Sequence, residues 1–423
     1  GDGPRCLESA QRARERLPAA LVYARSMFLE YLAWGYQMTG QAGAGILILE
    51  EALASDEARE DLFTARMLLG LAVIYYLSGD LRLQEQMALR LLKLSPEKPL
   101  ALSRSWAHLI SGQACYQQNR LAEAEAHFSA VTEHRYLANA AASQACLLGL
   151  ALAYRARGRP EAATQVAQQS LGFALEIRQP VQMVEAHAFQ ARLALLQGDL
   201  AAALRWAQGV TPEGLPARTL FPEVPRVTLA RVLIAQGTRD SLQQASQILE
   251  EIVEIARGVH STPHTIELLA LQALVYDEQG DGPKALDLLR HSLVLAEPGG
   301  YLRVFVDLGP AMVPLLSRLA ELESGPNYIR RILAAFTPSP LRRDAQRLDQ
   351  TAQLEIVESL TNREHEILEL LARRLTDKEI AQALHISPYT VRKHTSNLYG
   401  KLQVAGRRQA VRKAIALGIL PPQ

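Results

Sequence analysis

Between Leu384 and Leu402 the chain reads LHISPYTVRKHTSNLYGKL. Seven Lys or Arg (Arg392, Lys393, Lys401, Arg407, Arg408, Arg412, Lys413) lie between Ile380 and Gln423, and that span holds no Asp or Glu. The whole chain is balanced at net +1. Cations and hydroxyls gathered without carboxylates suit one chemistry well, the binding of a polyanion through charge-assisted hydrogen bonds. A basic run is also what an ordinary solvated helix face carries, so composition alone leaves both readings open. Spacing separates them. Ser387 and Pro388 form a helix start, an N-cap followed by proline where no donor is lost. Thr390, Val391, Arg392, Lys393 and Ser396 then fall in the first turns. On a 3.6-residue period Arg392, Lys393 and Ser396 share the outer face, while Val391, Leu398 and Leu402 share the inner one.

Two earlier starts must position this helix. Thr361 to Glu364 and Thr376 to Glu379 both read as capping boxes, Thr and Glu satisfying each other's orphan amides. Ile367, Leu368, Leu370, Leu371, Ile380, Ala381 and Leu384 supply the apolar periodicity of a small helical core. Leu384, His385 and Ile386 form a tight turn, with Ile386 expected to face inward. A short helix, a tight turn and a basic helix make a helix-turn-helix, whose second helix enters the major groove of DNA. A carboxylate on that face would repel phosphates, which accounts for the missing acids.

The stretch LTNREHEILELLARRLTDKEIAQALHISPYTVRKHTSNLYGKLQV resembles the DNA-binding domain of LuxR-type transcriptional regulators, from Leu360 to about Leu420. TxxE, KEIA, ISPxTVxxH and KL occur in that family's order. The resemblance implies base-facing roles for Arg392, Lys393 and Ser396. It implies backbone-facing roles for Lys378, Ser387, Tyr389, Thr390, His394, Lys401, Arg407 and Arg408. It also implies a dimer contact through the last helix, about Arg408 to Leu417. The sequence departs from the family at Gln403 (usually Gly), at Gly406 (usually a capping Ser or Asn) and at Gly400 inside the basic helix. A different end to that helix is therefore expected, and Gly400 costs up to ~1 kcal/mol relative to Ala.

The rest of the chain is periodic. Turn signals recur at Gly40, Gly79, Asn119, Gly158, Gly198, Gly237 and Gly280, spaced 39, 40, 39, 40, 39 and 43 residues apart. Each stands between two Ala/Leu-rich segments, so each unit reads as a helical hairpin ended by a left-handed residue and restarted by Asp, Arg-Pro or Gly-Pro. The fold class expected is all-α: a tetratricopeptide-like hairpin solenoid over residues 1–336, a flexible, protease-sensitive linker over 337–355 with two prolines, and a helix-turn-helix domain over 356–423. Thr211 to Arg226 is expected to be a long connection inside one unit. Tyr36, Tyr76, Tyr116, Tyr154 and Tyr276, just ahead of successive turns, are expected to pack neighbouring hairpins rather than to line a ligand groove. YLRVFVDLG, from Tyr301, is expected to be a short helix ending the solenoid. This arm, and GGYLRVFVDLGPAMVPLL in particular, resembles the sensor arm of large MalT-like regulators, which carry an ATP-binding domain upstream.

Function classes narrow accordingly. No GxxxxGK[ST] occurs, and GQAGAG at Gly40 lacks the lysine, so ATP is expected only with an upstream domain outside this sequence. The chain starts with Gly rather than Met, and a longer protein is expected. His260 and His264 are split by Ser-Thr-Pro, and His365-Glu366 lacks a zincin's second His. No catalytic, cofactor or metal site is expected, and the chain is expected not to be an enzyme. Cys6, Cys115 and Cys146 are too few and too scattered for a disulfide framework, which points to a reducing cytoplasm. No uncharged apolar run of about eighteen residues suggests a membrane span. Residues 355–423 hold eleven Lys/Arg against seven Asp/Glu, net +4, which leaves the remainder at net −3. The expected partners are therefore duplex DNA at the C-terminal end, and at the arm an effector: sugar, lipid, peptide or protein. RNA polymerase and a second copy on DNA are further expected partners. The function expected is a regulator of transcription, with an activator favoured by the resemblance. The competing reading is an interaction scaffold with weak, nonspecific DNA binding.

Overall fold

The computed structural model describes residues 3–16, 21–94, 101–215, 223–322, 327–336, 362–373, 375–384, 386–401, 404 and 406–416. The described residues are helical with no strand, and contacts divide the chain into two units, Gly1–Thr337 and Pro338–Gln423. The expected linker, 337–355, lies outside the described residues.

In the first unit α1 (Gly3–Arg16) precedes seven hairpins: α2 (Val22–Met38) with α3 (Ala42–Leu53), α4 (Asp61–Ser78) with α5 (Leu81–Leu92), and α6 (Ala101–Gln117) with α7 (Leu121–Thr132). Then come α8 (Ala140–Ala156) with α9 (Pro160–Glu176), α10 (Pro180–Leu196) with α11 (Leu200–Gln208), α12 (Pro225–Gln236) with α13 (Arg239–Gly258), and α14 (Thr262–Glu278) with α15 (Gly282–Ala296). Every hairpin turns at a predicted position. The six glycines and Asn119 all have φ between 63° and 86°, the left-handed region that closes a helix. One six-to-one hydrogen bond recurs across these turns, Asp80 N to Tyr75 O (2.9 Å), Arg120 N to Cys115 O (2.8 Å) and Asp281 N to Tyr276 O (2.9 Å). Where Asp follows Gly it starts the next helix: Asp80, Asp199 and Asp281 each accept an amide three residues on.

The two helices of a hairpin have different duties. In α8 eleven residues are buried, and they cover most of its circumference, whereas α5 buries one stripe, Leu81, Gln84, Met87, Ala88 and Leu91. Helix α8 is therefore walled in by its neighbours, whereas α5 packs through one side only. Helix α4 is long and apolar enough to cross a membrane, at 18 residues and mean hydropathy 1.3, but half of it is buried and it packs between α2 and α6.

Three expectations need revision. Thr211 to Arg226 lies between the hairpins that turn at Gly198 and Gly237, not inside one unit; it carries Glu223, buried against Arg192 at 3.0 Å. The segment after α15 does form a short helix, α16 (Arg303–Val306), but it does not end the arm, because α17 (Met312–Leu322) and α18 (Asn327–Phe336) follow. Instead it folds back onto the first hairpins. Leu302 N donates to Gln117 O (2.7 Å), Val304 N to Gln117 Oε1 (3.1 Å), and Tyr116 Oη to Asp307 Oδ2 (2.7 Å). Gln37 likewise donates to His260 O at 3.2 Å. The tyrosines divide as well. Tyr154 and Tyr276 lie under Arg159 and Lys284 of their own hairpins, whereas Tyr76 and Tyr116 reach across to His264 and Asp307.

Candidate nucleic-acid interface

The second unit is built from α19 (Asn362–Ala372), α20 (Asp377–Ala383), α21 (Pro388–Lys401) and α22 (Arg407–Ala416). One cluster holds them together: Ile367, Leu368, Leu371, Ile380, Ala381, Val391, Leu398, Ala410 and Ala414 are buried, and Leu384, Ile386, Tyr399 and Val404 pack on its edge. The capping box of α20 is complete. Thr376 N donates to Glu379 Oε2 (2.6 Å) and Glu379 N to Thr376 Oγ1 (3.4 Å). The Thr376 hydroxyl also donates to Glu379 Oε2 (2.7 Å), and the donations from the Thr376 amide and hydroxyl hold the Glu379 carboxyl below its ordinary range. Thr361, partner in the other expected box, lies outside the described residues.

The turn is pinned at three points. Leu384 N donates to Ile380 O (3.0 Å), Ile386 N to Ala381 O (3.0 Å), and Arg363 Nη2 to Leu384 O (2.8 Å). Ser387 Oγ then accepts the Thr390 amide at 3.1 Å, so α21 starts where Ser-Pro indicated. Arg392, Lys393 and Ser396 are all exposed on one face, with Val391, Thr395 and Leu398 buried on the other. Lys378 and Ser387 are exposed and Thr390 and His394 half-buried beside that face. The side chains of Tyr389 and Arg408, and residues Leu402 and Gln403, lie outside the described residues. Gly406 sits immediately before α22, and its carbonyl accepts the Ala410 amide at 3.0 Å.

Carboxylates invisible to local spacing complete the site. Asp377 Oδ2 lies 3.7 Å from Arg392 Nε, and its Oδ1 lies 3.6 Å from Arg407 Nη2. The acid excluded from the basic span thus stands just before it, between the two arginines, and holds both guanidinium groups near one point. Lys401 Nζ lies 2.6 Å from Glu364 Oε2, a carboxylate only 3% exposed. That ion pair ties the end of α21 to the start of α19. Lys401 therefore has a structural duty in addition to the phosphate contact the resemblance implies. The sequence hints were only positional, Asp377 at the first position of a capped helix and Glu364 as the expected partner of Thr361 in a capping box; neither pointed to Arg392, Arg407 or Lys401.

Other reactive groups have plain employment. Glu85, Cys115 and Glu123 come together, but Arg120 pairs with both carboxylates, and burial pushes the Cys115 thiol up to about 12. Arg120 thus supplies the counter-charge to both carboxylates at this cluster. His260 precedes α14 in a left-handed conformation (φ 51°) while His264 lies within it, bonded to Ser261 at 2.8 Å.

Comparison with known families agrees with this division. Residues 1–322 match the MalT-like TPR region, and residues 358–414 match the bacterial regulatory proteins of the luxR family. The HTH-type transcriptional regulator MalT of Yersinia pestis (strain Pestoides F) is 30% identical over 236 residues, 52% of this chain and 25% of the relative. The protein of that name from Klebsiella pneumoniae subsp. pneumoniae is 29% identical over 233 residues, with the same coverage. The matched part of the chain thus spans about a quarter of the length of these relatives. Among solved structures, the apo form of RapI is similar at a TM-score of 0.43 and 14% identity, over 64% of this chain and 98% of that one. The chain belongs to the family of the MalT-like TPR region, and it ends in a luxR-family regulatory domain.

Proposed function

We propose that the chain is a sequence-specific DNA-binding regulator of transcription, an activator, whose hairpin arm senses an effector. The observation that carries this reading is the outer face of α21: Arg392, Lys393 and Ser396 stand exposed together, on a helix locked from behind by Val391 and Leu398. Arg and Lys on such a face suit the O6 and N7 acceptors of guanine, and Ser396 suits either edge of a base pair. Lys378, Ser387 and Thr390 sit where phosphates would flank the groove, which fixes register without reading sequence. Pairing of two copies through α22 on a two-fold site, contact with RNA polymerase and residence in the cytoplasm belong to the same reading. No cofactor is assigned to this chain, and ATP would enter only if an ATP-binding domain preceded it. Similarity to HTH-type transcriptional regulators supports the assignment.

The test is selection of the full chain against a randomised duplex library at two salt concentrations. A common motif is expected, with affinity falling steeply as salt rises. Failure to enrich any motif, with binding that depends on salt alone, would leave a nonspecific scaffold and sink the reading.

A further inference from the structure

Arg392 stands on the outer face of α21 with its side chain 74% exposed. A guanidinium left free there would pair with a neighbouring phosphate as readily as with the edge of a base, and only the base contact carries sequence. One carboxylate limits that freedom. Asp377 Oδ2 lies 3.7 Å from Arg392 Nε. The approach is to the nitrogen at the root of the guanidinium, which leaves the terminal Nη1/Nη2 edge for a ligand. That edge is the fork that fits O6 and N7 of a single guanine.

Asp377 is itself firmly placed. It is the first residue of α20, directly after the Thr376 cap, and that helix is anchored in the core through Ile380 and Ala381. Its second oxygen, Oδ1, lies 3.6 Å from Arg407 Nη2 at the start of α22, and Arg407 is only a third exposed. A carboxylate set by α20 and α22 thus props a side chain on α21. Without it Arg392 would lose more side-chain freedom on meeting a base, and a swing to a phosphate would no longer cost the pairing with Asp377.

We propose, on the reading that the outer face of α21 meets bases, that Asp377 is a specificity-determining residue of the DNA site. It holds Arg392 by Nε so that the Nη1/Nη2 edge meets one guanine in the major groove, and it withholds the same arginine from phosphates of other sequences. Asp377 touches no base; it is a positioning residue that acts through Arg392. Plain repulsion of DNA by the Asp377 charge would weaken binding to every sequence alike, and so would a loosened fold. Neither changes the ratio of affinities for two duplexes that differ at one base pair, whereas positioning does.

The test uses the full chain, the duplex it selects and a series in which each base pair of that duplex is replaced in turn, with affinities from fluorescence anisotropy at one salt concentration. Arg392→Ala first marks the base pair that Arg392 reads, expected to be G·C, as the position where discrimination falls. Asp377→Asn keeps the size of the side chain and removes its charge. Discrimination at that same base pair should then fall about tenfold, part of what an arginine fork on guanine supplies. At the other positions it should stay within about twofold, while affinity for an unrelated duplex rises. In the Arg392→Ala background Asp377→Asn should alter discrimination nowhere. Asp377→Ala gives the same measurement through a second substitution, with a thermal melt of each variant, since the capping box of α20 is made by Thr376 and Glu379. Discrimination unchanged in both Asp377 variants, lowered equally at all positions, or lowered further in the Arg392→Ala background would overturn the proposal. If Arg392→Ala shifts discrimination and the Asp377 variants do not, the positioning role alone is removed. If Arg392→Ala shifts it nowhere, the base-reading face falls, and the role of Asp377 falls with it.

Discussion

Arg392 and Lys401 are both cations of α21, yet the structure gives them different work. Arg392→Ala should cost ~1–3 kcal/mol at the selected site and relax preference at one or two base positions, as measured over a base-substitution series. Lys401→Ala should lower the melting temperature of the C-terminal unit, because Glu364 loses the ammonium 2.6 Å away; Lys401 is a third exposed, so about 1–2 kcal/mol is expected. Glu364→Gln in that background should recover part of the loss. An unchanged melt for Lys401→Ala would show the pair to be inert. Asp377→Asn removes the carboxylate that lies within 4 Å of both Arg392 and Arg407, and nonspecific affinity at low salt should rise with a steeper salt slope. Residue-level legibility follows the same line. The outer face of α21 could be read because a helix period relates neighbours in sequence. The ion pair from Lys401 to Glu364 spans 37 residues, and no local pattern encodes a contact of that separation.

Among elements, the hairpins were legible because each turn needs a left-handed residue and each restart needs a cap, and both requirements write themselves into one or two residue types. The long connection before α12 was misplaced because prolines announce a break without saying which side of a hairpin it falls on. Close packing between elements left subtler marks. The ring of Phe128 lies where α6 and α8 approach, and a Cβ added at Gly112 or Gly149 would come within 2.5 Å of it. Gly112→Ala and Gly149→Ala should each destabilise the arm by ~1–3 kcal/mol through overpacking, against the helix-propensity gain that alanine usually brings. Urea unfolding of the two variants measures this, and stabilisation in either would mean the ring shifts freely. Glu30 on α2 adds a dependence on pH. Burial, partly offset by Arg66, raises its pKa from 4.5 to about 7. Unfolded chains have released that proton above 4.5 while the folded arm holds it to about 7, so this group makes stability fall as pH rises across that window. His108, pushed down to about 4 by burial beside His127 and Arg104, acts in the opposite sense between that value and its usual 6.5. The informative quantity is therefore a difference: the stability of Glu30→Gln relative to the unaltered chain should grow from pH 5 to pH 7 and then level off.

At the scale of the whole arm, the contacts from residues 299–307 back to Tyr116, Gln117 and Gln118 set this solenoid apart from a simple stack, in which each repeat meets only its neighbours. Asp307 sits at the centre of this closure, accepting from Tyr116 and paired with Arg303, whose own side chain is only 3% exposed. Asp307→Ala should leave that guanidinium buried and uncompensated, at about 3–5 kcal/mol. Hydrogen exchange should then show 101–132 and 299–307 losing protection together; loss confined to 299–307 would mean the closure carries no cooperativity. The same contacts have a consequence for how the chain is made. A plain solenoid can complete each repeat as it leaves the ribosome, but here residues 116–118 wait for partners 181 to 191 positions later in the chain. At translation rates of about 5–20 residues per second, the inner walls of the early hairpins stay open for some ten seconds or more, a long exposure for apolar surface. A chain cut short before residue 307 would have its early hairpins built and the contacts from Tyr116, Gln117 and Gln118 still unmade.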